Sequence, residues 1–145
     1  MTSIRVAKAV DAESLAALSG QLGYPVDAAV IAQRLDEIIA NHGGVVLVAE
    51  SDDLGILGWV EVSLQRHLVH DARAELAGLI IDECARGAGV GSVLLRAAEV
   101  WARECGVGEL IVRSNVVRDR AHRFYLRAGY VERKRQAVFV KRLAV

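Results

Sequence analysis

The chain has 145 residues, enough for one domain, and 53% of them are hydrophobic, which excludes a disordered segment. Its 18 basic and 18 acidic side chains cancel, so it lacks the positive excess of a nucleic-acid-binding domain. Cys84 and Cys105 stand 21 positions apart with no Cys-x-x-Cys and no histidine at metal spacing, so neither a disulfide framework nor a metal site is expected. No apolar run is long enough to span a membrane and no signal-peptide core opens the chain, so the expectation is a cytoplasmic protein with no membrane partner.

In chain order, Ile4 to Ala7 reads as a short strand. Asp11 can cap a helix with Leu15, Leu18 and Leu22 as its apolar stripe, and Gly23-Tyr24-Pro25 breaks it. Asp27 opens a second helix carrying Ile31, Leu35, Ile38 and Ile39, closed by Asn41-His42-Gly43-Gly44. Val45 to Glu50 and Ile56 to Leu64 read as a hairpin around the turn Ser51–Gly55. His67 to Arg73 is polar and reads as a loop. Leu76 to Ile81 is continuously apolar or small, as in a strand covered on both faces.

Arg86-Gly87-Ala88-Gly89-Val90-Gly91 follows that strand. Val90, Val93, Leu94, Ala97, Ala98, Trp101 and Cys105 then recur at helical spacing, so a glycine-rich loop opens a long amphipathic helix. Such a loop suits anion capture, because the first amides of a helix lack intrahelical partners and the dipole favours negative charge there. Arg86 adds a forked cationic donor. A phosphate-binding P-loop would need Gly-Lys-Ser/Thr, and a dinucleotide fingerprint Gly-x-Gly-x-x-Gly; neither fits. Beyond the helix, Leu110 to Val112 reads as a strand, Asp119 to Ala128 as a helix ended by Gly129, and Val131 to Arg133 with Ala137 to Lys141 as a final hairpin. The order βααβββαβαββ implies an α/β or α+β layered domain with a mixed central sheet flanked by helices, taken as a single domain over 1–145.

Arg-x-x-Gly-x-Gly at Arg86, Gly89 and Gly91 resembles the coenzyme A pyrophosphate loop of the GNAT acetyltransferases. A second block is similar to the same family: Ser114-Asn115 after an apolar strand, then Ala121-His122-Arg123-Phe124-Tyr125 and Ala128-Gly129-Tyr130. The element order matches the GNAT fold as well. The resemblance implies direct transfer of an acetyl group from acetyl-CoA, as co-substrate, to a primary amine of a small molecule or protein. It implies that the central strand splays from its neighbour to admit the pantetheine arm.

Carried over by position, the resemblance gives Leu79, Ile80 and Ile81 main-chain contacts with the pantetheine, the Leu79 amide polarising the acetyl carbonyl. Arg86, Gly87, Ala88, Gly89, Val90, Gly91 and Ser92 would hold the pyrophosphate, and Asn115 the pantetheine arm. Tyr125 would be the general acid. Its chemistry suits the role, since a phenol near pKa ~10 is protonated at neutral pH and can donate to a thiolate whose acid lies near ~8.5. Glu75 resembles the base glutamate of the histone-acetylating branch, and also reads as a solvated strand end. Glu61, on the preceding strand, and a water relay are the other candidates. Tyr24 falls in the region that shapes acceptor pockets in the family. Family members are often dimers, so a homodimer is one assembly the resemblance allows. The rival reading is a non-catalytic acyl-CoA sensor built on the same loop.

Overall fold

A computed structural model of the chain describes residues 1–114 and 117–145. Its contacts divide them into two units, 1–113 and 114–145.

The first unit is built on one mixed sheet in sequential order, β1 (Thr2–Val6), β2 (Gly44–Ser51), β3 (Gly55–Gln65), β4 (Arg73–Ile81) and β5 (Leu110–Val112). The pairs β1–β2, β2–β3 and β3–β4 are antiparallel and β4–β5 is parallel. The parallel pair needs a crossover, and α3 (Val90–Glu104) supplies it. Helices α1 (Ala12–Gln21) and α2 (Ala28–Asn41) precede the long hairpin.

Strand alternation sorts the two faces of the sheet. Val46 and Val48 of β2 pack with Leu15 of α1 and Leu35 of α2, and Trp59 of β3 joins that cluster. On the other face a Cβ at Gly58 would stand 3.1 Å from Leu94 of α3, so Gly58, Val60 and Val62 look toward α3. Leu94, Val60 and Val62 are fully buried there. The moderate-length chain thus gains two apolar layers from one sheet, the arrangement that layered α/β packing requires.

Helix ends follow from local chemistry. Gly23, Gly106 and Gly129 sit just past α1, α3 and a further helix, α4 (Asp119–Arg127), with positive φ. The amides of Tyr24, Val107 and Tyr130 donate back to Ser19, Ala102 and Tyr125 at 3.0–3.3 Å, which closes each helix in the left-handed glycine motif. Asp11 behaves differently from a plain helix cap. A short 3-10 turn, Ala9–Asp11, precedes α1, and the Asp11 carboxylate accepts from the Lys8 amide at 2.8 Å and from both terminal nitrogens of Arg5 at 2.8 and 2.9 Å. Arg5 in turn donates to Glu50 at 3.0 and 3.1 Å, tying β1, the turn and β2 together.

The second unit contains α4 (Asp119–Arg127). The expected final hairpin is absent: residues 131–145 enter no strand. Val138, Phe139 and Val140 are all about nine-tenths exposed. Their apolar pattern favours a strand, but a strand exists only where its backbone finds a ladder partner, and none of the described strands supplies one. The element order is therefore βααβββαβα among the described residues, an α/β class with a five-stranded mixed sheet.

Candidate active site

Strand β4 has two halves that face different neighbours. In the first, the Ala74 amide donates to the Glu109 carbonyl at 2.9 Å, so even-numbered residues turn their amides toward β5. The β3–β4 register then slips between Glu61↔Gly78 and Val62↔Leu76, leaving Ala77 as an extra residue in a bulge. Beyond it the phase is reversed: the Asp82 amide donates to the Leu57 carbonyl of β3 at 2.7 Å. By strand alternation Ile80 also turns its main-chain groups to β3, while Leu79 and Ile81 turn theirs to the β5 side.

On that side the described sheet offers them no partner strand. Pairing with β5 stops at Leu76↔Val112, and β4 continues to Ile81. The Leu79 and Ile81 amides have no hydrogen-bond partner among the described residues. Residues 77–81 of β4 thus have no partner strand on that side within the described sheet.

The glycine-rich loop continues from this edge. Asp82 caps a 3-10 turn, Glu83–Ala85, by accepting from the Cys84 amide at 3.0 Å. Gly87 and Gly89 then adopt φ of +85° and +84°, a region that costs an L-residue roughly 1–2 kcal/mol, and Gly89 leads directly into α3. No side chain caps that helix start. Among the described residues, the amides of Gly87, Gly89, Val90, Gly91 and Ser92 donate to no protein group. A Cβ placed on Gly87 or Gly89 would meet nothing within 4 Å, so open space stands above the loop. The exposed Arg86 side chain makes no hydrogen bond among the described residues, and Ala88 is exposed beside it. An anion fits this donor set: several free amides, one helix dipole and one exposed guanidinium.

The two candidate carboxylates share the α1/α2 face of the sheet but differ in surroundings. Glu75 is opposite Ser63 and accepts from Arg113 at 2.8 Å in an ion pair. Glu61 is opposite Gly78, beside the bulge, with no hydrogen bond or ion pair among the described residues. Burial pushes its carboxyl above the usual value, since a charge without a partner is disfavoured away from water. Gly78 is needed there: a Cβ would lie 3.0 Å from two ring atoms of Trp59. The Trp59 indole N–H is buried without a partner among the described residues. Tyr24, just beyond α1, is 60% exposed.

In the second unit, Tyr125 is half-buried on α4, with its ring 5.2 Å from Phe124 and 5.9 Å from Tyr130, both edge-on. Burial raises its phenol above the usual value, against a smaller opposing effect of the Arg118 charge. It therefore stays protonated through neutral pH. Asn115 lies outside the described residues.

The sequence reading did not include the bulge or the pairing of Glu75 with Arg113. A glycine inside an apolar strand, Gly78, is the signal that marks such a bulge. Nothing in the sequence marks Trp59 as an orphan donor.

The model of the acetyltransferase (GNAT) family matches residues 14–130, through both units. The chain belongs to the GNAT acetyltransferase family. A 31% identical relative, aminoglycoside N(6')-acetyltransferase type 1 of Stenotrophomonas maltophilia, aligns over 141 residues, 94% of this chain and 91% of that protein. The aminoalkylphosphonate N-acetyltransferase of Salmonella typhimurium is 38% identical over 76 residues, 52% of this chain and 49% of its own. Among solved structures, an aminoglycoside 6'-N-acetyltransferase from Acinetobacter baumannii superposes with a TM-score of 0.86 at 20% identity, over 99% of this chain and 100% of that one. This GNAT protein is accordingly an acetyl-CoA-dependent N-acetyltransferase. None of its described helices is long and apolar enough to cross a membrane.

Proposed function

We propose that this N-acetyltransferase acetylates a small-molecule amine, holding acetyl-CoA by main-chain amides on β4 and the loop before α3. The observation that carries the reading is the continuous set of unpartnered donors, Leu79 and Ile81 followed by Gly87 and Gly89 to Ser92. A thioester arm with a diphosphate at one end needs such a set. Strand-like amides match the amide-bearing arm, and the loop amides with Arg86 match the diphosphate. Ile80 serves by keeping β4 anchored to β3 rather than by contacting the arm.

Acetyl-CoA supplies an activated acyl group, and the protein's residues manage the charge around it. The Leu79 amide donates to the acetyl oxygen as negative charge grows there. Glu61 takes a proton from the attacking ammonium or amine, a role its unpaired and weakened acidity suits better than the Arg113-bound Glu75. Tyr125 gives its phenolic proton to the departing sulfur and recovers one from solvent. Its raised affinity for the proton keeps it loaded for that step. Asn115 is proposed to bond the pantetheine arm on the family block alone.

A small acceptor is supported by the two relatives, named for aminoglycosides and aminoalkylphosphonates. Tyr24, exposed just beyond α1, offers an aromatic surface to such a molecule. Release of free thiol from acetyl-CoA, measured against aminoglycosides, aminoalkylphosphonates, polyamines and a lysine peptide, tests the reading. Turnover with small amines is expected. Turnover with the peptide alone would overturn the acceptor class, and CoA binding without any turnover would favour a sensor.

A further inference from the structure

A cleft of about 270 Å³ opens at the end of β1, where the sheet runs out between two helices. Val6, the last residue of β1, pairs with Leu47, and the Ala7 amide donates to the Val46 carbonyl at 2.9 Å. The chain then leaves the sheet for the turn Ala9–Asp11, although β2 reaches back to Gly44. Leu35 and Ile39 of α2 line the cleft, as do Trp101 and Cys105 of α3.

The main chain supplies the polar part of this cleft. The Leu64 amide of β3 donates to the Gly43 carbonyl at 2.8 Å, so Gly43 turns its groups to β3. By alternation Gly44 turns its own N–H and C=O to the β1 side, as Val46 does. Past Ala7 no described residue pairs with Gly44 there. A donor and an acceptor thus stand side by side at the cleft, and the half-buried Trp101 brings an indole ring to it. His42 also lines it, and closes α2 with φ +56°. Glycine adopts that conformation at less cost, so an imidazole is held here against backbone preference. Its ring makes no hydrogen bond among the described residues.

We propose that this cleft binds a planar aromatic lactam, a ring in which N–H stands beside C=O, as in nucleobases and cyclic amides. The lactam edge pairs with the N–H and C=O of Gly44, as an added strand would. The ring lies against Trp101, and Leu35, Ile39 and Val45 enclose its remaining edge. A ring without the lactam would desolvate both Gly44 groups and leave them unpaired. An aliphatic amide would satisfy Gly44 and leave the indole uncovered. Within the sheet, β2 and β3 lie between the cleft and β4, and two strand spacings amount to about 10 Å. The cleft is therefore a second site, apart from the amides proposed to hold acetyl-CoA.

The test uses the full-length protein and three probes: isoquinolinone, isoquinoline, which lacks the lactam, and pentanamide, which lacks the ring. Amide NMR spectra are recorded through each titration. Isoquinolinone is expected to move the Gly44 amide and the Trp101 indole signals together and saturably. It should bind about tenfold tighter than either control, the worth of one hydrogen bond lost. Absence of a saturable shift at millimolar probe overturns the proposal, as does equal binding of isoquinoline. Shifts confined to Leu79 and residues 87–92 would put the probe on the acetyl-CoA amides and overturn it too. Cys105→Tyr places a ring in the cleft and is expected to abolish the Gly44 shift while circular dichroism and CoA affinity are retained. A folded variant that binds isoquinolinone as tightly as wild type refutes the site. If that variant fails to fold, the wild-type titrations alone decide. None of these outcomes depends on which amine is acetylated.

Discussion

Replacing Gly89 with alanine separates the backbone requirement of the loop from its role as an anion seat. Gly89 has φ +84°, and a new Cβ would meet nothing within 4 Å. The cost to folding is therefore conformational alone, about 1–2 kcal/mol for an L-residue in the left-handed region. For a chain of this size that lowers the melting temperature by roughly 2–8 °C. Gly55, in the β2–β3 turn, supplies a matched control, with φ +74° and again nothing within 4 Å. Gly55→Ala should lose the same stability. The two variants should part company over CoA. At Gly89 the methyl group intrudes on the space a diphosphate would take. Loss of one charge-assisted hydrogen bond, at about 1.5–3 kcal/mol, weakens binding roughly 10-fold to 150-fold. Gly55→Ala should leave CoA affinity within twofold of wild type. Thermal melts and calorimetric CoA titrations of both proteins give the four numbers required. If Gly89→Ala melts lower yet binds CoA as tightly as wild type, the diphosphate does not rest on this loop.

Tyr125→Phe should lower kcat by about 100-fold or more, within the range for loss of a general acid, while acetyl-CoA affinity measured by calorimetry stays within twofold. Parallel loss of both would make Tyr125 a cofactor contact instead. Glu61→Gln should lower kcat/KM comparably and abolish the acid limb of its pH profile. That limb should lie above the ordinary glutamate value of 4.5 because burial raises the carboxyl. The folded state then holds this proton more tightly than the unfolded state, so ionised Glu61 detracts from stability above that pH. The glutamine variant should consequently melt no lower than wild type at neutral pH, which a merely structural glutamate would not allow. Asp11→Ala should cost about 2–3 kcal/mol at pH 7 by denaturant titration, since it strands the Lys8 amide and half of the Arg5 fork. The Arg5 hydrogen bond, more than any other contact, holds the Asp11 carboxyl below its ordinary 3.8. Its contribution is thus complete above that value and is lost as pH falls further, so the gap between the two proteins should narrow in acid. A gap independent of pH would show that Asp11 acts by packing.

Periodicity located every strand and α-helix of the first unit to within a few residues, because each one buries a stripe or a face whose spacing is written in side-chain type. The loop before α3 was legible for a related reason: positive φ at Gly87 and Gly89 leaves a visible residue choice. What escaped the sequence was pairing. Ala137–Lys141 has the pattern of a strand, yet pattern measures only willingness to pair, and no described strand accepts it. Glu75 and Glu61 are equally plain carboxylates in the sequence. Only the fold brings Arg113 to one and leaves the other partly desolvated and alone. The backbone phase of β4 was equally hidden, since alternation predicts which side chain faces which layer and says nothing of where an inserted residue resets the count.

That reset gives Ala77 a different standing from its neighbours. Leu76 and Gly78 stand opposite Val62 and Glu61, consecutive on β3, while the exposed Ala77 has no opposite number there. Deleting it would join Leu76 to Gly78 in plain alternation, so Leu79 would keep its amide on the β5 side and Ile80 would keep its own toward β3. What such a shortening would take away is the bend and added twist that an inserted residue gives a strand. The extra residue thus governs where the far half of β4 is aimed rather than which of its groups look outward.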